Sequence, residues 1–112
     1  MTLIKRRHVQ ESPVSQGEDE IISYILDTTP WGGTPSAITI VVFDITNADE
    51  TSDWVDVTST VMPVNNPTVS GNNITISPLK LLTDAHIYRM EMKFTTPTFL
   101  VAEALCLIIG GE

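Results

Sequence analysis

The sequence is poor in cysteine, in basic residues and in long apolar runs, and each shortage removes a class of protein. Cys106 is the one cysteine in 112 residues, so no internal disulfide can form and packing alone must hold the fold, in a reducing compartment as well as any other. Six Lys and Arg stand against fourteen Asp and Glu, for a formal charge of −8. That balance argues against general nucleic-acid binding, which rests on clustered bases. The bases are also unevenly placed: Lys5, Arg6 and Arg7 form a short basic arm ahead of an acidic body. The longest apolar run, near residues 104 to 109, falls far short of a membrane span. Met-Thr-Leu-Ile passes at once into Lys5-Arg6-Arg7, which is not the pattern of a secretory signal. The expectation is a protein without nucleic-acid or membrane partners, cytoplasmic unless it is packaged into a larger particle.

What is present fits one β domain. With 42% hydrophobic residues the chain can bury a real interior, and its length suits one domain over residues 1–112, with 1–16 as a basic N-terminal arm or edge strand. Turn signals cut the sequence into short pieces at fairly even spacing, as in an antiparallel sandwich or barrel. Expected strands cover about Leu3 to Gln10, Glu20 to Asp27, Ala37 to Thr46 and Trp54 to Met62. In the second of these, Ile21 and Ile25 share one face while Ile22, Tyr24 and Leu26 share the other. A hairpin is expected over Thr68 to Ser77, turning at Gly71-Asn72, where positive φ is easily reached. Two last strands cover about Ile87 to Thr95 and Thr98 to Ile109. The alternation is cleanest where Tyr88, Met90, Met92 and Phe94 oppose Arg89, Glu91 and Lys93. Seven to eight strands result.

Leu82, five intervening residues and then Tyr88 at the head of that alternating strand resemble the tyrosine corner of immunoglobulin-like and fibronectin type III domains. The resemblance implies an antiparallel, immunoglobulin-like or fibronectin III-like sandwich with Leu82 and Tyr88 in a structural role. The disulfide pair and core tryptophan of antibody domains are missing. Taken together, Gln16-Gly-Glu-Asp-Glu20, Asp27-Thr-Thr-Pro-Trp31, Ile38 to Asp44, Val69-Ser-Gly-Asn72 and Leu82 through Phe94 also resemble small immunoglobulin-like structural proteins of tailed bacteriophages and prophages. That likeness implies a virion component, for head decoration, head completion or attachment to the tail. It carries over no catalytic residue.

Residues with chemistry are sparse. Cys106 lies in an apolar run and reads as a small buried hydrophobe. His8 and His86 lack the spacing of a zinc pair, and no nucleophile elbow or phosphate-cradling glycine loop is present. Neither catalytic, cofactor nor metal residues are expected. Asp44, Asp49, Glu50, Asp53 and Asp56 form one acidic stretch that could offer calcium its oxygens, yet it lacks the spacing of an EF-hand loop, and a solvated loop is the plainer reading. Asn73-Ile-Thr75 matches a glycan acceptor but reads as strand composition.

Interaction has more support than catalysis. In the expected final strand, Phe99, Val101, Leu105 and Leu107 line one face, while Leu100, Ala102, Ala104, Cys106 and Ile108 line the other, so both faces are apolar. A sandwich strand normally keeps one side wet. Either the chain covers the second face itself or a neighbouring subunit does. These residues, with Trp31 on its Pro- and Gly-rich loop and the arm Lys5, Arg6 and Arg7, are the candidate interface. The role expected is that of a non-enzymatic structural protein contacting other subunits, its own copies or phage capsid and tail proteins. The alternative is a carbohydrate- or ligand-binding sandwich, for which Trp31, Trp54 and Tyr24 would have to form an exposed platform.

Overall fold

Alternation builds the larger of two sheets. A computed structural model describes Val9 and residues 12–111; Lys5, Arg6, Arg7, His8 and most of the first expected strand lie outside the described residues. Strands β1 (Val14–Gln16), β2 (Ile25–Asp27), β3 (Ser36–Asp44), β4 (Val55–Asp56), β5 (Thr68–Ser70), β6 (Asn73–Thr75), β7 (Ile87–Thr95) and β8 (Ala102–Gly110) divide between a five-stranded sheet, ordered β1-β8-β7-β3-β4, and a three-stranded sheet, ordered β2-β6-β5. Tyr88, Met90, Met92 and Phe94 of β7 point inward beside Ala102, Ala104, Cys106 and Ile108 of β8 and Ile40 and Val42 of β3. The smaller sheet contributes Leu26 and Ile74 to the same apolar cluster. No helix among the described residues is long and apolar enough to cross a membrane.

Four expectations need correction. The larger sheet is mixed rather than antiparallel throughout, because Val14, Ser15 and Gln16 run parallel to Ile108, Ile109 and Gly110. Of the strand expected over Glu20 to Asp27, only β2 and an isolated bridge from Ile22 to Leu79 remain. The strand expected from Trp54 to Met62 stops after two residues and becomes a helical turn, α1 (Thr58–Val61). Asp56 Oδ1 there accepts both the backbone N–H and the hydroxyl of Thr58, and the Thr58 hydroxyl in turn accepts the N–H of Val42. Such local side-chain bonds give the backbone an alternative to a ladder. Lastly, the final strand starts at Ala102 rather than Thr98. The Thr96 hydroxyl accepts the N–H groups of Thr98 and Phe99, and the Thr96 N–H bonds Phe99 O, so that stretch closes into a loop.

The β5–β6 hairpin forms as its sequence requires, with Gly71 at φ +59° in the turn. Tyr88 is buried, and the N–H of Thr83 donates to its hydroxyl at 2.8 Å, with Leu82 buried alongside.

Strands of three residues cannot hold an edge by ladder bonds alone, and β1 has a side-chain anchor. Gln16 is fully buried, and its Nε2 donates to Leu79 O at 2.7 Å and Glu20 O at 3.1 Å. Its Oε1 accepts the Tyr24 hydroxyl at 2.7 Å. Burial pushes the Tyr24 hydroxyl up to about 12, with the charges of Cys106 and Glu20 adding to the effect. Tyr24 therefore remains the proton donor through ordinary pH.

Replacing Gln16 with Leu orphans the Tyr24 hydroxyl and leaves the Leu79 carbonyl with the Ile22 N–H alone, and should cost about 2–3 kcal/mol in urea unfolding; a loss below about 0.5 kcal/mol would contradict the anchor. Because the folded Tyr24 pKa lies above its unfolded value near 10, the stability it lends is intact below that pH and fades as pH climbs toward 12. The tyrosinate absorbance of the wild type minus that of Tyr24→Phe should rise with a midpoint about 12, and a midpoint near 10 would refute the buried donor.

Candidate functional site

The three aromatics required for a platform lie apart, each engaged locally. Trp31 sits in a short 3-10 turn, Thr29–Trp31, started by Pro30 and closed by Gly32 at φ +107°. A Cβ on Gly32 would collide with the Thr98 side chain, so only glycine lets this turn approach the β7–β8 loop. The Trp31 indole N–H donates to Glu103 O at 3.2 Å, its carbonyl accepts the Thr96 hydroxyl, and its ring meets Phe94 edge-on at 6.1 Å. It seals one end of the core and caps the free side of β8. Tyr24 is committed to Gln16. Trp54 packs on Phe43 at 5.6 Å and carries the Arg89 guanidinium at 4.8 Å over its ring.

The acidic stretch dissolves into individual turn bonds. Asp44 accepts the N–H and hydroxyl of Thr46, Asp56 does the same for Thr58, Glu50 accepts the Ser52 hydroxyl, and Asp53 accepts the Asp49 N–H. Among the described residues no three His, Cys, Asp or Glu side chains converge as a metal site would require. His86 Nδ1 lies 2.7 Å from Asp44 Oδ2, a pairing across 42 residues that the sequence did not signal. Desolvation works to raise the Asp44 pKa, but the two Thr46 bonds and His86 outweigh it and hold the carboxyl below its usual value. A depression of about 560 Å³ lined by Asp56, Thr58, Ser59, Met62, Pro63 and Asn65 contains one titratable group, Asp56, already occupied by Thr58. Cys106 is buried on the inner face of β8.

The candidate interface residues separate. Phe99 packs against the core and Val101 is exposed, and both precede β8 in the loop, so they do not share a strand face with Leu105 and Leu107. Leu105 is only 2% exposed although it points away from the inter-sheet core, and its carbonyl accepts the Val9 N–H at 2.9 Å. Leu107 is half-buried. Leu100, assigned from its parity to the opposite face, projects from the loop at 88% exposure. Around it the loop is fixed: Thr95 Oγ1 donates to Leu100 O at 2.8 Å, and Thr96 joins Trp31, Thr98 and Phe99.

The outward face of the larger sheet is mixed. Val41 and Phe43 of β3, Ile87, Arg89, Glu91 and Lys93 of β7, and Glu103, Leu105, Leu107 and Ile109 of β8 alternate with the buried residues. Arg89 Nε donates to Glu91 Oε2 at 2.7 Å, and register sets Lys93 opposite Glu103 and Ile87 opposite Ile109. No family model, curated protein or solved structure matches this chain.

The lowered Asp44 pKa means its contribution is present above the unfolded carboxyl value and disappears as pH drops through the folded one. Asp44→Asn should therefore lower the melting temperature at neutral pH and flatten the acid limb of the stability curve. Curves parallel to the wild type from pH 7 to pH 2 would exclude that linkage.

Proposed function

We propose that this chain is a non-enzymatic, immunoglobulin-like subunit that acts by contacting other proteins within a tailed-phage particle. The strand order supports the immunoglobulin-like part of this reading: β2-β6-β5 runs in the same order as strands B, E and D of an immunoglobulin sandwich, and β4-β3-β7-β8 in the same order as C′, C, F and G of the variable-type sheet. The Thr83 to Tyr88 bond, like the bond of a tyrosine corner, joins the hydroxyl to backbone a few residues upstream and supports the same reading. Contact with other proteins is supported by the exposure of Leu100 and Val101, side by side on a loop whose backbone is hydrogen-bonded at Leu100 O, since apolar side chains left in water gain from being covered. The virion setting, whether as head-decoration, head-completion or tail-associated protein, draws on the resemblance of the acidic Gln16–Glu20 turn, the Asp27–Trp31 loop and the Leu82–Phe94 segment to phage structural proteins. The carbohydrate-binding alternative loses its main support with Trp31, Trp54 and Tyr24 each tied up separately.

Mass spectrometry of density-purified particles from an induced host carrying the gene should detect this chain at a fixed ratio to the major capsid protein. Its absence from particles in which the other structural proteins are found would sink the virion reading.

A further inference from the structure

Among the described residues the edge strands are β1 and β4 of the larger sheet and β2 and β5 of the smaller. An open edge is a row of unpaired N–H and C=O groups, a template for another strand, and proteins commonly place charges there to discourage pairing. All four strands are only two or three residues long, so length does not separate them. Charge does. β4 ends in Asp56, β2 ends in Asp27, and β1 runs through Gly17 into Glu18, Asp19 and Glu20. Around β5 there is none: from Val57 to Leu79 the sequence holds no Asp, Glu, Lys, Arg or His. On a chain carrying −8, an edge free of ionisable groups is where two copies approach with least like-charge repulsion.

The backbone of this edge also points outward. An antiparallel ladder alternates between residues that exchange both bonds with one neighbour and residues turned the other way. The Thr28 N–H bonds Asn72 O and the Ile76 N–H bonds Tyr24 O, which turns Ile74 toward β2 as well. Asn73 and Thr75 are then the residues of β6 that bond β5, through Ser70 and Thr68. The N–H and C=O of Val69 therefore face away from β6, at the free border. Thr68, Val69 and Ser70 are all exposed. Across the sheet the inward apolar row Leu26, Ile74, Val69 is 7%, 0% and 43% exposed, so its last member is open to water.

We infer that β5 is a self-association edge, on which the same strand of a second copy pairs antiparallel about a twofold axis normal to the sheet. Val69 of each copy then exchanges both N–H···O bonds with Val69 of the other, and the two smaller sheets join into one. An axis normal to the sheet keeps both inner faces on the same side, so the two Val69 side chains meet and close each other's open flank. One edge serves both partners, as a closed dimer requires. Three residues at about 3.4 Å each span roughly 10 Å, so the contact is a weak and transient one, smaller than a permanent interface. The inference concerns the pure protein in solution and does not depend on the virion setting proposed above.

Sedimentation equilibrium of the purified full chain between about 10 µM and about 1 mM should show a monomer passing into a dimer. Added salt should strengthen the dimer, because it screens the repulsion between two acidic bodies and finds no ion pair at this edge to weaken. Val69→Pro removes an N–H that its own sheet does not use, a position where an edge strand accepts proline, and should weaken the dimer at least about tenfold. Thr68→Glu gives β5 a carboxylate like those at the other edges and should do the same. Circular dichroism and melting temperature identify a variant that has merely unfolded, and should Val69→Pro unfold, Thr68→Glu decides. A wild type that stays monomeric at about 1 mM, a dimer that salt dissociates, or one indifferent to the folded variants overturns the inference.

Discussion

The Gln16 side chain ties β1 to the Glu20–Tyr24 segment and to Leu79 at one buried point. Its amide reaches the carbonyls of Leu79 and Glu20 and the hydroxyl of Tyr24 from a site with no access to water. In that setting an amide must have every partner or cost more than an apolar group would. The geometry meets the requirement, and no buried side-chain nitrogen or oxygen among the described residues lacks a partner. The consequence reaches beyond one side chain. Leu79 also bridges to Ile22, so Gln16 fixes the edge of the larger sheet relative to the approach of β2 in the smaller one. The sandwich closes on that side through polar bonds, whereas its centre closes through Met90, Met92, Ile74 and Ile76.

Such an anchor is hard to see in a sequence. Gln16 is followed by Gly17, Glu18, Asp19 and Glu20, and nothing in that polar company marks it as the buried one. The strands that could be read were those whose own pattern decides their state. β7 alternates without a fault over Ile87–Thr95, the β5–β6 hairpin announces its turn, and the faces assigned to Ile21, Ile25 and Leu26 agree with their exposure. Where the reading went astray, a side chain had bonded to nearby backbone. Asp56 and Thr58 turn an apparent strand into a helical turn, and Thr96 converts the start of β8 into a loop. The parallel pairing of β1 was out of reach because its partner lies at the other end of the chain.

The same distinction applies to the surface. Parity correctly assigned two faces to β8 but could not tell that Leu105 is covered while Leu107 and Ile109 are less so, since coverage depends on what lies across the strand. Nor could it show that Trp31 bonds the β8 backbone or that Trp54 lies under Arg89. Both tryptophans are thereby committed to shaping surfaces. One closes an end of the core, and the other lies against the Arg89 guanidinium, which bonds the Glu91 carboxylate beside it.

The parallel ladder between Val14–Gln16 and Ile108–Gly110 has a consequence for how the molecule is made. Val14–Gln16 has its seat on a stretch synthesised 94 residues later, since Val14 pairs with Ile108 and Gln16 with Gly110. Closing so long a loop is entropically unfavourable and gives slow, non-local contacts a part in the folding route. During synthesis the opening segment must therefore wait, unseated, until β8 has emerged and paired with β7.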